Sequence, residues 1–307
     1  MMLQDRVSIV EVGPRDGFQP IAPMIPTATK IGLVKRLYDS GLRRIEATAF
    51  VSDKAIAQMS DAAQVLAAAQ SLPELDVQVL APNRRYAELA LKAGARHIAY
   101  VLSVSESHNF SNVRRTSQES LAEYEALTKD LPGDVKVRLN LATAFDCPFE
   151  GAVPDDRTLD LLARLVAACP RAEVALCDTT GKATPDRVSS LFETAREFCP
   201  EVAAWVFHGH DTYGLGVANV LAAHSVGVRI FDASFGGLGG CPFAPGATGN
   251  VATEDVVWTL HRMGVETGID LDRLLDAAVD GAALPGAAWG GRVRTALRGA
   301  QQVSSAA

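Results

Sequence analysis

Eight short apolar, β-branched runs recur along the chain, each followed by a turn and an amphipathic stretch, and this alternation constrains the fold more than any other feature. The runs predicted as strands are residues 7–12, 44–47, 76–81, 97–103, 136–142, 173–177, 203–207 and 229–233. Helical patterns fall between them at 27–40, 53–69, 84–93, 117–129, 155–168, 185–198, 214–226 and 253–263. Strands that alternate with helices at this spacing pair in parallel through crossovers. Eight such units in about 260 residues fit an α/β fold of the (β/α)8 TIM-barrel type better than an open doubly wound sheet. No Gly-x-Gly-x-x-Gly follows the first run, so a dinucleotide fold lacks its fingerprint. Thr27 is placed to cap the first helix and Thr184-Pro185 the sixth, with Pro185 at the first helical position.

No interdomain linker or low-complexity block interrupts the pattern, so residues 1–307 are expected to form one catalytic domain. Its barrel covers about 5–265, and a C-terminal helical extension and tail cover 266–307. Asp270 would cap the helix at 271–278, and the glycine-, serine- and alanine-rich segment from Leu284 onward reads as a loosely held tail. A net charge of −7 leaves no basic footprint for nucleic acid or an anionic membrane. No apolar run approaches the roughly 20 residues that span a bilayer. The N-terminus has neither a signal-peptide core nor transit-peptide character, which reads as cytoplasmic. Five cysteines without a CxxC pair argue against a disulfide framework or a zinc ribbon. Cys147, Cys169, Cys177 and Cys199 are expected to be small buried hydrophobes, and His97, His108, His224 and His261 to be structural.

In such a barrel the chemistry sits at the C-terminal mouth, on strand ends and the loops that follow. The first strand leads into Arg15, Asp16 and Gln19, and the second carries Glu46 and Thr48. The fourth leads to Ser105 and Asn112, the fifth to Thr143, and the sixth to Asp178-Thr179-Thr180-Gly181 with Lys182 beyond. The seventh ends in Val206-Phe207-His208-Gly209-His210-Asp211. Two histidines two residues apart on a strand share a face and make a metal-ligand pair whose oxygen partners would be Asp16 and Asn250. Asn250 closes the glycine-rich run 235–250. That run is not a P-loop, because no Gly-Lys-Ser/Thr follows, and its glycines suit a mobile flap over the mouth. Cys241 sits within it, where a thiol can be presented to solvent.

Together the motifs Glu-Val-Gly-Pro-Arg15-Asp16-Gly-Phe-Gln, Ile-Glu46-Ala-Thr-Ala-Phe-Val-Ser, Asp178-Thr-Thr-Gly, His208-Gly-His210-Asp-Thr-Tyr-Gly and Gly-Leu-Gly-Gly-Cys241-Pro-Phe-Ala-Pro-Gly-Ala-Thr-Gly-Asn250 resemble the 3-hydroxy-3-methylglutaryl-CoA (HMG-CoA) lyase family, collinearly from Val7 to about Leu274. The resemblance implies a metal-dependent TIM-barrel lyase that cleaves HMG-CoA to acetyl-CoA and acetoacetate by a retro-Claisen reaction. It implies Mg2+ or Mn2+ held by Asp16, His208, His210 and Asn250, with a catalytic set of Arg15, Cys241, Glu46, Asp178 and His208. Substrate and CoA contacts fall on Gln19, Thr48, Ser105, Asn112, Thr143 and Lys182. The implied setting is leucine or related branched-acid degradation, with an acyl-CoA substrate and a homodimer or higher homo-oligomer.

The chain departs from the family in two places. After Gln19 the family continues Asn-Glu-Lys, whereas Pro20, Ile21 and Ala22 follow here. The loop after the fourth strand lacks the family's lysines, leaving Arg114 and Arg115 to meet CoA phosphates. The alternatives are a lyase for a related acyl-CoA such as citramalyl-CoA and a Claisen-condensing synthase of the same superfamily. A non-haem iron oxygenase could use two histidines and a carboxylate but leaves Asn250 without a role.

Overall fold

A computed structural model describes residues 5–240 and 249–298. Eight strands close into a parallel barrel: β1 (Ser8–Glu11), β2 (Arg44–Ala49), β3 (Asp76–Leu80), β4 (His97–Ser103), β5 (Lys136–Ala142), β8 (Glu173–Asp178), β9 (Trp205–Gly209) and β10 (Ile230–Ala233). The order around the ring is β1-β10-β9-β8-β5-β4-β3-β2, closed by Glu11 opposite Ile45. A two-stranded hairpin, β6 (Asp146–Cys147) and β7 (Gly151–Ala152), lies in the connection after β5. The outer layer comprises α1 (Thr27–Asp39), α2 (Ala62–Gln70), α3 (Arg84–Lys92), α4 (Glu106–Val113), α5 (Ser117–Asp130), α6 (Asp155–Ala168), α7 (Pro185–Phe198), α8 (Gly216–Ser225), α9 (Thr253–Arg262) and α10 (Leu271–Ala282). The apolar runs lie where the alternation predicts them, and their outward faces meet the helices through Ile9, Leu139, Leu176, Phe207 and Phe231, all buried.

The barrel interior is not an apolar plug. Arg138 on β5 reaches Asp232 on β10, three strands away around the ring, at 2.5 Å, so this ion pair crosses the interior. Both residues are buried. Arg138 Nε also donates to Asn140 Oδ1 at 2.8 Å. Taking such charges out of water costs several kcal/mol per ion, roughly offset by pairing. The interior therefore holds polar struts where branched aliphatic residues would serve stability as well.

Several local expectations change. The stretch at 53–69 is a helix only from Ala62, preceded by a short 3-10 turn at Ala57–Met59. Residues 51–58 are held instead at the mouth, where Gln58 Nε2 donates to the carbonyls of Ile21 and Pro23 at 2.7 and 2.6 Å, and its Oε1 accepts from Ile25 N at 3.2 Å. Thr27 is the first helical residue rather than the cap, and its hydroxyl donates to Asp61 at 2.8 Å. Thr184 does stand at the N-cap position with Pro185 after it, though its side chain makes no cap bond. Asp270 caps α10 by accepting from Asp272 N and Arg273 N. The segment after Leu284 is docked, not loose, up to residue 298: Arg294 is buried against Glu254, and Asp255 accepts from the backbone of Arg292 and Val293. Cys147, Cys169, Cys177 and Cys199 are buried free thiols as expected.

Candidate active site

The chain leaving β1 makes one π-type turn, Gly13–Gly17, a local widening often found at functional sites. That turn places Arg15 and Asp16 at the mouth. Arg15 Nη1 donates to Asp16 Oδ1 at 2.5 Å, while its Nε donates to Glu46 on β2. Glu46 is steadied in turn by Gln78 Nε2 from β3. Arg15 is therefore a buried fork held at two corners. Burial opposes its charge, but Asp16 and Glu46 outweigh that and hold its pKa above the ordinary value.

Asp16, His208 and His210 offer ligand atoms that lie within 4.8 Å of one another, although β1 and β9 are far apart in sequence. The two imidazole centroids are 5.3 Å apart. Asn250 joins them, bridging His210 as an isolated pair and donating Nδ2 to Asp16 Oδ2 at 2.7 Å. Two polar atoms of this group are buried without a partner among the described residues: His210 Nδ1 and Asn250 Oδ1. Buried acceptors left unpaired cost about 1–3 kcal/mol each. A cation is what one acid, two imidazoles and an amide oxygen would satisfy together, so these residues fit a divalent metal. Burial and the neighbouring His208 push the His210 pKa down to about 4, which keeps it neutral at pH 7. Burial raises Asp16, but Arg15, His208, His210 and the Asn250 bond outweigh it and hold the carboxyl below its usual range.

The glycine-rich segment is shaped by contact with this group. Gly239 has φ +121°, and a Cβ there would lie 2.7 Å from Asn250 Nδ2. The segment's described parts, 235–240 and 249–250, pack against the mouth. Cys241, and the flap expected around it, lie outside the described residues. Gly239→Ala is expected to cost about 1–3 kcal/mol of stability and to weaken Mn2+ binding by pushing Asn250 away; calorimetry and a Mn2+ titration check both, and a wild-type titration would remove the packing role given to Gly239.

A cavity of about 620 Å3 opens from the metal group. Its walls include Gln19, Pro20, Ile21, Ala22, Met24, Ser52, Tyr86, Asn112, Arg114, Arg115, Asn140, Cys177 and Thr179. The departure at 20–22 is thus a cavity wall, clamped in place by Gln58. Of the expected contacts, Gln19 and Asn112 line the cavity, while Thr48, Ser105, Thr143 and Lys182 are not among the described lining residues. Thr48 Oγ1 lies 3.5 Å from Met59 Sδ. Ser105 caps α4, donates to Glu150 at 2.7 Å and receives from Cys147. Thr143 adopts φ 54° and accepts from Ser105 N at 3.1 Å. Lys182 pairs with Asp146 at 3.4 Å. His108, expected to be structural, bonds Ser103 through Nδ1 at 2.7 Å and also borders the cavity.

Asp178 ends β8 fully buried, and Ala183 N donates to it at 3.1 Å across its own turn. Burial raises its pKa to about 6 despite backbone bonds from Ala183, Gly181 and Lys182. A carboxyl whose folded pKa exceeds its unfolded value stabilises below the unfolded pKa and loses that stability as pH rises, here between about 4 and about 6. Asp178→Asn should therefore gain up to about 3 kcal/mol over wild type as pH climbs through that window. Paired thermal melts at pH 4 and 7 check it, and an advantage that shrinks with rising pH would reverse the assignment.

Sequence reading missed Arg138, Asp232, Asn140 and Gln78. Their signal was a polar residue at an inward position of an otherwise apolar run. Asp232 Oδ2 lies 3.0 Å from His208 Nδ1 and accepts from Arg138. Burial raises Asp232, but Arg138 and His208 more than compensate and bring it to about 2.

The closed eight-stranded ring and its mouth define a (β/α)8-barrel protein with a candidate divalent-cation centre. A family model described as HMGL-like matches residues 6–280. The hydroxymethylglutaryl-CoA lyase of Pseudomonas mevalonii is 39% identical over 293 residues, 95% of this chain and 96% of that protein. The mitochondrial hydroxymethylglutaryl-CoA lyase of Arabidopsis thaliana is 42% identical over 273 residues, 88% of this chain but 58% of that longer protein. An Acinetobacter baumannii HMG-CoA lyase, solved in complex with coenzyme A and 3-methylmalate, superimposes with a TM-score of 0.89 at 38% identity, covering 96% of each chain. The chain belongs to the HMGL-like family. No helix among the described residues is long and apolar enough to cross a membrane.

Proposed function

We propose that this protein is a carbon–carbon lyase that cleaves HMG-CoA to acetyl-CoA and acetoacetate. The observation that carries the reading is the meeting of Asp16, His208 and His210 within 4.8 Å, beside the buried Arg15 fork and at the inner end of the cavity. Asp16, His208, His210 and Asn250 would hold a divalent cation. A mixed set of imidazole, carboxylate and amide donors suits Mn2+ or Mg2+. When bound, the cation supplies Lewis acidity that makes the substrate's tertiary hydroxyl easier to deprotonate.

The chain's own groups account for the rest. As the C2–C3 bond breaks, its electron pair passes to the thioester half, and Arg15 is the fixed positive charge available for the enolate oxygen. Glu46 orients Arg15, which lines the cavity. A proton must then reach the enolate carbon. Cys241 is assigned that transfer on the family resemblance, and Asp178 the handling of protons or the orienting of metal-bound groups; its carboxyl also accepts from Ala183 N and so steadies the turn after Thr179. Arg114 and Arg115, which line the cavity, would be the cations that meet CoA phosphates.

The apolar wall of Pro20, Ile21 and Ala22 favours a second reading, a lyase for a related acyl-CoA such as citramalyl-CoA. Both readings meet one experiment. Metal-loaded protein is incubated with HMG-CoA, citramalyl-CoA and other branched 3-hydroxyacyl-CoA esters, and the products are identified by mass. Acetoacetate with acetyl-CoA from HMG-CoA supports the first reading. Cleavage of another ester alone would move the assignment to that substrate, and intact esters throughout would end both.

A further inference from the structure

We propose that Asp232, braced across the barrel by Arg138, is the positioning residue that fixes the proton of His208 on Nδ1 and so presents Nε2 to the cation. This rests on the metal reading above and adds residues to it that neither the family motifs nor the metal group contain.

The geometry is a chain of three side chains from three strands. Arg138 on β5 donates Nη2 to Asp232 Oδ2 at 2.5 Å, and the same oxygen lies 3.0 Å from His208 Nδ1. Arginine is always a donor, and a carboxylate locked to it is an acceptor only. The remaining partner of that oxygen, His208 Nδ1, must then carry hydrogen. A neutral imidazole has one lone pair left, and it is on Nε2. His210 is treated differently: its Nδ1 is buried and unpartnered among the described residues, and the ring bonds the backbone of Thr179. The two ligands on one strand are thus held by separate means.

Stability alone does not call for this arrangement. Arg138 is fully buried, and its Nη1 and Asp232 Oδ1 have no partner among the described residues. Replacing such a buried pair with apolar side chains of similar volume is often neutral or stabilising. The strut gives direction instead. Its free side reaches the cavity too, because Arg138 Nε holds Asn140, and Asn140 lines the cavity wall. One guanidinium therefore positions a metal ligand and a wall amide together. Carboxylates that orient ligating histidines typically change metal affinity 10- to 100-fold when altered.

The test uses the full chain without metal, then with Mn2+. Selective 15N-histidine labelling reads the His208 tautomer directly in the wild type. The expected result is a proton on Nδ1; a proton on Nε2 overturns the proposal even if every variant fails to fold. In parallel, free Mn2+ is followed by electron paramagnetic resonance in the wild type, His208→Ala and Asp232→Asn. Asp232→Asn, which keeps one acceptor oxygen but gives up the carboxylate charge, should bind Mn2+ about 10- to 100-fold more weakly, with an unchanged circular-dichroism spectrum. Arg138→Lys, which keeps the charge but not the bidentate reach, should fall between. A folded Asp232→Asn protein that binds Mn2+ within twofold of wild type sinks the strut while leaving the metal site standing. A wild type that binds no Mn2+, or binds it as His208→Ala does, sinks the metal reading and the proposal with it.

Discussion

Arg15→Met is expected to lower turnover by about 10^3-fold or more, the scale seen when one preorganised charge-stabilising donor is removed, while Mn2+ still binds. The cause is the position of Arg15. It touches Asp16 and Glu46 but contributes no ligand atom to the metal group. Removing a cation from beside a divalent ion relieves repulsion, so Mn2+ affinity should hold or rise. The substitution also leaves Glu46, 1% exposed, with Gln78 on β3 as its remaining hydrogen-bond partner among the described residues. An uncompensated buried charge costs about 3–5 kcal/mol, and a lower melting temperature is expected alongside the lost turnover. Arg15→Lys keeps the charge but cannot bridge two carboxylates in the same way, and should fall between. Steady-state kinetics with a Mn2+ titration decides; near-normal turnover would remove the enolate role from Arg15.

Asp16→Asn is expected to be as severe for a different reason. Asp16 receives Arg15 on Oδ1 and Asn250 on Oδ2 while belonging to the metal group. An amide in its place offers one acceptor where two are used, and it loses the anion that a hard divalent cation needs. Mn2+ affinity should fall at least about 100-fold. Cleavage should fall about 10^3-fold, since Lewis-acid assistance is worth several kcal/mol and each 1.4 kcal/mol or so is tenfold. High Mn2+ should restore part of the activity here but none in Arg15→Met, which separates the two roles. Equal responses of the two variants to added Mn2+ would show that the roles had been divided wrongly.

The barrel was legible because its signal is repeated eight times, and β-branched runs between amphipathic stretches admit few other folds. The metal group was legible because His208 and His210 share a strand face and Asp16 follows a strand end, so period and topology bring them together without knowledge of side-chain detail. What escaped was set by tertiary contacts. The α4 helix is short and polar through Ser107-His108-Asn109, and its cap by Ser105 shows only in the folded chain. Residues 53–61 have helical composition, yet Gln58 and Asp61 are committed to the 21–30 segment, and those bonds outweigh propensity. Arg138 and Asp232 stand in apolar strands, where a run reads as core unless each inward position is checked singly. The segment at 290–294 looked loose because glycine-rich composition says nothing of Glu254 and Asp255, which hold it.

On the proposed reading, breaking the carbon–carbon bond requires a cation held at the rim by Asp16, His208, His210 and Asn250. Single-turnover cleavage of HMG-CoA by chelator-stripped protein, before and after one equivalent of Mn2+ per chain, addresses it directly. The stripped protein should be inert and one equivalent should restore the burst of acetyl-CoA. Equal bursts with and without metal would contradict it.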